Sequence, residues 1–141
     1  MEKVKHVIDF IGVRDIVSKE IGAMSGGEGR KCLIGRALVC DPQAMLLDEP
    51  TTGLDLRAQG DFLELMEQLS SEKTMILVTH HIEEIIPSIK TVAVLSNGHI
   101  QQVGKKEDML TSESISKIFQ ANISVIRDGE YYRIGKNRTF T

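Results

Sequence analysis

Two short apolar runs constrain this chain more than any other feature: AMLLDE at residues 44–49 and TMILVTHH at residues 74–81. Each is rich in large aliphatic side chains and closed by polar ones, the pattern of a strand buried on both faces. Between them, LRAQGDFLELMEQLS repeats apolar residues at helical spacing through Leu56, Phe62, Leu63 and Met66. Strand, helix and strand in that order predict a right-handed crossover in a parallel sheet covered on both faces. The fold class is therefore α/β.

Upstream, VKHVIDFIG places Val4, Val7, Ile8 and Ile11 at helical spacing, with Gly12 as the stop. A short apolar segment, RDIVSKEIG, leads to Met24. Ser25 then stands where the N-cap of a second helix belongs. In that helix Leu33, Ile34, Ala37 and Leu38 form the predicted apolar face, Arg30, Lys31 and Arg36 point elsewhere, and Asp41-Pro42 ends it. Downstream, Asn97-Gly98 predicts a tight hairpin in TVAVLSNGHIQQVG. Two short helical stretches follow, and ISVIRDGEYYRIG predicts a second hairpin across Asp128-Gly129. The tail reads as a β-rich appendix.

Composition excludes several classes. With 141 residues, 41% of them hydrophobic, the chain is long enough for one compact domain. Net charge is -3 and the basic residues are scattered, so no nucleic-acid partner is expected. The longest apolar stretches fall far short of the roughly 20 residues of a membrane helix, and no leader opens the chain, so a soluble, unsecreted protein is expected. Cys32 and Cys40 share one predicted helix, which suits neither a disulfide framework nor a metal site; both are expected to be reduced core residues.

Chemistry concentrates at the carboxyl ends of the two runs, where open α/β sheets hold ligands. Asp48 and Glu49 close the first run; one carboxylate suits Mg²⁺ and its neighbour suits orienting or deprotonating a water, while a plain loop start remains the alternative. Asp55 follows in TTGLD, where it serves equally as a helix N-cap. Thr79, His80 and His81 close the second run, and an imidazole there can reach a phosphate oxygen; His81 reads as the solvent-side or packing partner of the pair. In MSGGEGRK, residues 24–31, the Gly26-Gly27 pair lets backbone amides approach an anion at the positive end of a helix, and Ser25 adds a hydroxyl.

Taken in order, MSGGE, AMLLDEP, TTGLD and VTHH resemble the nucleotide-binding domain of the ATP-binding cassette (ABC) family, over about residues 1–104. The resemblance implies a partial P-loop NTPase three-layer fold, with part of the family's helical subdomain at residues 1–24, the signature-helix and catalytic half of the core at 25–104, and an appendix at 105–141. It implies ATP and Mg²⁺ as ligands and a head-to-tail dimer in which Ser25, Gly26, Gly27 and Glu28 contact ATP held by the opposite subunit. Asp48 would serve Mg²⁺ through water, Glu49 would be the base, Asp55 would communicate across the dimer, and His80 would sense the γ-phosphate. A cytoplasmic ATPase is implied, held at the inner face of the membrane where a permease is its partner.

Departures from the family pattern are specific. Met24 replaces Leu; Glu28 replaces Gln and puts a negative charge near the expected phosphate; Gly35 costs the helix roughly 1 kcal/mol. GEGRKCLIGRAL looks most like molybdate-type and stand-alone cassette ATPases. No Gly-x-x-x-x-Gly-Lys-[Ser/Thr] loop occurs in the 141 residues, so the chain looks like the C-terminal portion of a cassette. Three readings follow: an ABC ATPase that energises transport, a non-catalytic module, and a stand-alone regulatory or repair ATPase. In the family's sheet the strand of that loop lies between the strand ending at His80 and the one read in TVAVLSN, so its removal predicts two unpaired inner edges and exposed apolar side chains.

Overall fold

The computed structural model describes residues 1–135. Contacts divide the chain into two compact units, the first Met1–Thr79 and the second beginning at His80, where composition predicted one core and motifs placed boundaries at residues 24/25 and 104/105. No helix among the described residues is long and apolar enough to cross a membrane.

In the first unit, helix α1 (Glu2–Phe10) buries Val7, and Ile11 and Val13 just beyond it are buried as well. Gly12, with φ of +67°, makes the left-handed exit that ends it. Two single 3-10 turns, Arg14–Ile16 and Ile21–Ala23, carry the chain to α2 (Gly26–Val39). The face of α2 differs from the expected one: Ile34, Gly35 and Leu38 are buried, whereas Leu33 and Ala37 are exposed. Val7 and Ile11 of the α1 segment lie against this line at Gly35. Gly35 has a packing role there, since a Cβ on it would lie 2.6 Å from Ile11 Cδ1. Cys40 caps α2 and is exposed, and Cys32 is half-buried with its Sγ 3.7 Å from Met24 Sδ, so neither is a fully buried core residue.

Strand β1 (Ala44–Asp48) and strand β2 (Thr74–Val78) are parallel, in register from Ala44 opposite Thr74 to Asp48 opposite Val78, and α3 (Leu56–Ser70) joins them. The parallel strand–helix–strand order is as the sequence predicts. Helix α3 buries Phe62, Leu65, Met66 and Leu69, an i, i+3, i+4, i+7 stripe; Leu56, at its first turn, is exposed instead of buried. Burial alternates along both strands, so the expectation of two covered faces is not met among the described residues. Leu46 and its register partner Ile76 lie on the open face with Val78, as exposed apolar side chains.

In the second unit, antiparallel strands β3 (Thr91–Ser96) and β4 (His99–Lys105) meet at Asn97-Gly98, both with positive φ, as a type I′ turn requires. Helices α4 (Lys106–Met109) and α5 (Ser112–Phe119) follow, the second capped by Thr111 Oγ1, which accepts the Ser114 amide. Strands β5 (Ser124–Asp128) and β6 (Tyr131–Gly135) form the last hairpin. Its turn is Gly129-Glu130, one residue later than expected, because Asp128 pairs with Tyr131 inside the ladder. Gly129 alone has positive φ, at +62°. Ile85, Leu110, Ile115 and Tyr132 form the buried cluster of this unit, with Ile82, Val92 and Val125 among its neighbours.

Candidate functional site

Helix α2 begins with a complete capping box. Ser25 Oγ accepts the Glu28 amide at 3.3 Å, and the Ser25 amide donates to Glu28 Oε2 at 2.7 Å. Lys19 Nζ donates to the same Oε2 at 2.7 Å. The Lys19 ammonium, and after it the Ser25 amide, hold the Glu28 carboxyl below its ordinary value. The charge that a neighbouring phosphate would disfavour is therefore drawn back toward Lys19 and the cap. The Ser25 hydroxyl keeps its proton for an outside acceptor, and Gly26 and Gly27 occupy the first turn, whose amides have no partners in the helix ladder.

Beside this turn lies the loop after β1. Asp48 is the last residue of the strand and is exposed. Glu49, half-buried, adopts φ of +45°, a left-handed conformation that costs a non-glycine residue about 1–2 kcal/mol. Its amide donates to the Val78 carbonyl at 2.8 Å, which extends the β1–β2 pairing by one bond and fixes the carboxylate at the strand tip. Thr52 Oγ1 donates to Glu49 Oε2 at 3.4 Å, and Gly53, with φ of +81°, turns the chain toward Asp55. Asp55 is the N-cap of α3: its Oδ1 accepts the Ala58 amide at 2.8 Å.

The two loops are in contact. A Cβ on Gly26 would meet Leu54 Cδ2 at 3.4 Å, and one on Gly27 would meet Ala58 Cβ at 2.9 Å. The glycine pair thus permits close packing of α2 against the start of α3. Arg30 Nη2 donates to the Thr52 carbonyl at 3.2 Å, so the α2 turn, the loop and Glu49 are joined in one set of bonds. Sequence reasoning missed Arg30, Thr52 and the buried Thr51, whose hydroxyl accepts from Gln59 Nε2 at 3.3 Å. The Thr-Thr pair ahead of Gly53 was the available signal.

Asp48, Glu49, Asp55 and residues 25–28 all belong to the first unit, and His80 opens the second. His80 and His81 are both exposed, with ring centroids 3.9 Å apart and planes inclined at 41°. His81 leads into a 3-10 turn, Ile82–Glu84, and its carbonyl accepts the Glu84 amide at 3.2 Å.

Comparison with known proteins gives concordant results. Residues 1–52 match a family described as ABC transporter. The chain is 32% identical over 128 residues to the uncharacterized ABC transporter ATP-binding protein YlmA of Bacillus subtilis, spanning 89% of this chain and 48% of that protein. It is 34% identical over 115 residues to the molybdenum import ATP-binding protein ModC of Rhizobium etli, spanning 80% of this chain and 32% of that one. Among solved structures, MJ1267, an ATP-binding cassette of an ABC transporter, superposes with a TM-score of 0.75 at 25% identity over 84% of this chain and 48% of its own. CbiO1 of Clostridium perfringens, part of the ABC transporter complex cbiONQ, gives 0.70 at 25% identity over 82% and 47%. The chain spans about half the length of YlmA and less of ModC.

Proposed function

The chain belongs to the ABC transporter family of ATP-binding proteins, and on that premise we propose that it supplies hydrolytic and signature-loop residues of an ATPase that energises transport. Ser25, Gly26 and Gly27, with Glu28 as their cap, contact the γ-phosphate of ATP bound by the opposite subunit of a head-to-tail dimer. Glu49 takes the proton of the attacking water, Asp55 communicates across the dimer, and His80 senses the γ-phosphate. Mg²⁺, when bound, neutralises charge on the transferring phosphoryl group. The exposed carboxylate of Asp48 offers the hard oxygen donors that this ion takes, through its waters.

One observation carries the reading: within a single unit, the amide-bearing turn of α2 is joined through Arg30 and Thr52 to a glutamate held in left-handed backbone at a strand tip. Backbone strain of that kind is found where a side chain must be aimed. The test is Glu49→Gln in the assembled ATPase. A general base contributes about 10²–10⁴-fold, so kcat should fall by that factor while Mg²⁺-ATP affinity is retained; an unchanged kcat would remove Glu49 from the chemistry.

A second reading is a non-catalytic module that presents its signature loop, Ser25, Gly26 and Gly27, in trans to an intact cassette. Nucleotide titration of the chain alone separates the two. Micromolar affinity with turnover abolished by Glu49→Gln excludes the module, and absence of binding supports it. Likeness to ModC and to a component of cbiONQ supports a permease partner and a place at the membrane through it, over a stand-alone regulatory or repair ATPase. Co-purification of a membrane-spanning subunit is the check.

A further inference from the structure

Residues 105–135 carry none of the motifs above, yet they pack against the segment that follows the histidine pair. We propose that the C-terminal hairpin β5–β6 positions His80, with Glu83 as the connecting residue. This rests on the reading of His80 as the phosphate sensor.

The 3-10 turn Ile82–Glu84 begins two residues after His80, and its side chains are anchored within the second unit. Ile82 packs against the cluster of Ile85, Leu110, Ile115 and Tyr132. Glu84 is fully buried. Glu83 Oε1 accepts the amide of Ile134, on β6, at 3.0 Å, a bond across 51 residues of sequence. A carboxylate accepting an amide is among the stronger hydrogen bonds, and here it also occupies a donor that a sheet edge would otherwise leave open. The hairpin is itself held from the side of α5. Ser112 Oγ accepts the Val125 amide at 2.9 Å, and Ser116 Oγ accepts the Ile123 amide and donates to its carbonyl, both at 3.0 Å. A continuous path therefore runs from α5 through β5 and β6 to Glu83, and from there to His81 and His80. Two residues of backbone separate the clamp from the imidazole, too few for His80 to sample widely while the turn is fixed. Glu83 acts through its neighbours and touches no substrate, so it is a positioning residue.

The experiment compares Glu83→Ala and Glu83→Gln in the full chain, read by amide exchange at Ile134 and by the nuclear Overhauser contact between the His80 and His81 rings. In Glu83→Ala, exchange at Ile134 should quicken about tenfold, as loss of one net hydrogen bond implies, and the ring contact should weaken. In the assembled ATPase kcat should fall at least about threefold with KM for ATP unchanged, as a misplaced group implies. Glu83→Gln keeps an oxygen acceptor and should restore all three. If Glu83→Ala does not fold, Glu83→Asp, one methylene shorter, should move the same signals in the same direction. Faster exchange at Ile134 with the ring contact and kcat untouched would overturn the proposal. A weakened ring contact with unaltered kcat would leave the positioning standing and remove the sensor role from His80, which separates the two claims.

Discussion

Glu28 shows how much a single side chain's role depends on what lies nine residues away. In sequence it is a departure that places a negative charge near the expected phosphate; in the structure the same carboxylate completes the cap of α2 and pairs with Lys19. Asp41 is held low in the same way, by Lys73 first and then Lys3. Because both folded carboxyls titrate below their ordinary values of 4.5 and 3.8, each favours folding when ionised. That contribution is complete above those values and is lost as pH falls below them through the lowered folded values. Lys19→Met should lower the urea midpoint at pH 7 and have a smaller effect below pH 3, while an equal effect at both would show the pair to be without consequence. The Ser25 and Asp55 caps were legible from residue type alone, since a cap needs only a short oxygen-bearing side chain ahead of an apolar-periodic run. The Glu28–Lys19 pair was not, because the irregular stretch between the two 3-10 turns, which brings Lys19 round, has no periodic signature.

At the scale of elements, the glycine pair of α2 acts as a spacer as well as a source of amides. Gly27→Ala would bring its new Cβ to 2.9 Å from the Ala58 methyl, which sits on helix backbone and has no rotamer to escape into. The helices would have to move apart, so we expect a loss of about 1–3 kcal/mol in unfolding free energy despite the better helix propensity of alanine. A stabilised Gly27→Ala protein would show that α2 and α3 do not pack as described. Helical periodicity and continuous apolar runs recovered the order of α1, α2, β1, α3 and β2 in the first unit, because both signals are local; the two 3-10 turns carry no such signal. The last hairpin slipped by one residue for the converse reason: Asp128 has turn character by itself, and only its pairing with Tyr131 draws it into the ladder and moves the turn to Gly129-Glu130. Asn97-Gly98 gave no such ambiguity, since both residues tolerate positive φ and both adopt it.

For the molecule as a whole, the open face of the β1–β2 sheet is the feature with the plainest consequence. Leu46 and Ile76 are 66% and 50% exposed, side by side in register, so the chain by itself should bind an apolar dye such as ANS. Leu46→Lys with Ile76→Thr should reduce that binding without altering the helical circular dichroism; undiminished dye fluorescence would place the exposed apolar surface elsewhere. The sequence by itself determined the α/β class, the parallel crossover, the capped helix behind the glycine pair and the tight turn at Asn97-Gly98, all of which follow from spacings of a few residues. Only the tertiary structure decided which apolar residues are inside, that Arg30 and Thr52 tie the α2 turn to Glu49, and that Glu83 reaches Ile134 from 51 residues away. Those facts depend on which surfaces meet, and local propensity carries no record of a partner that is distant along the chain.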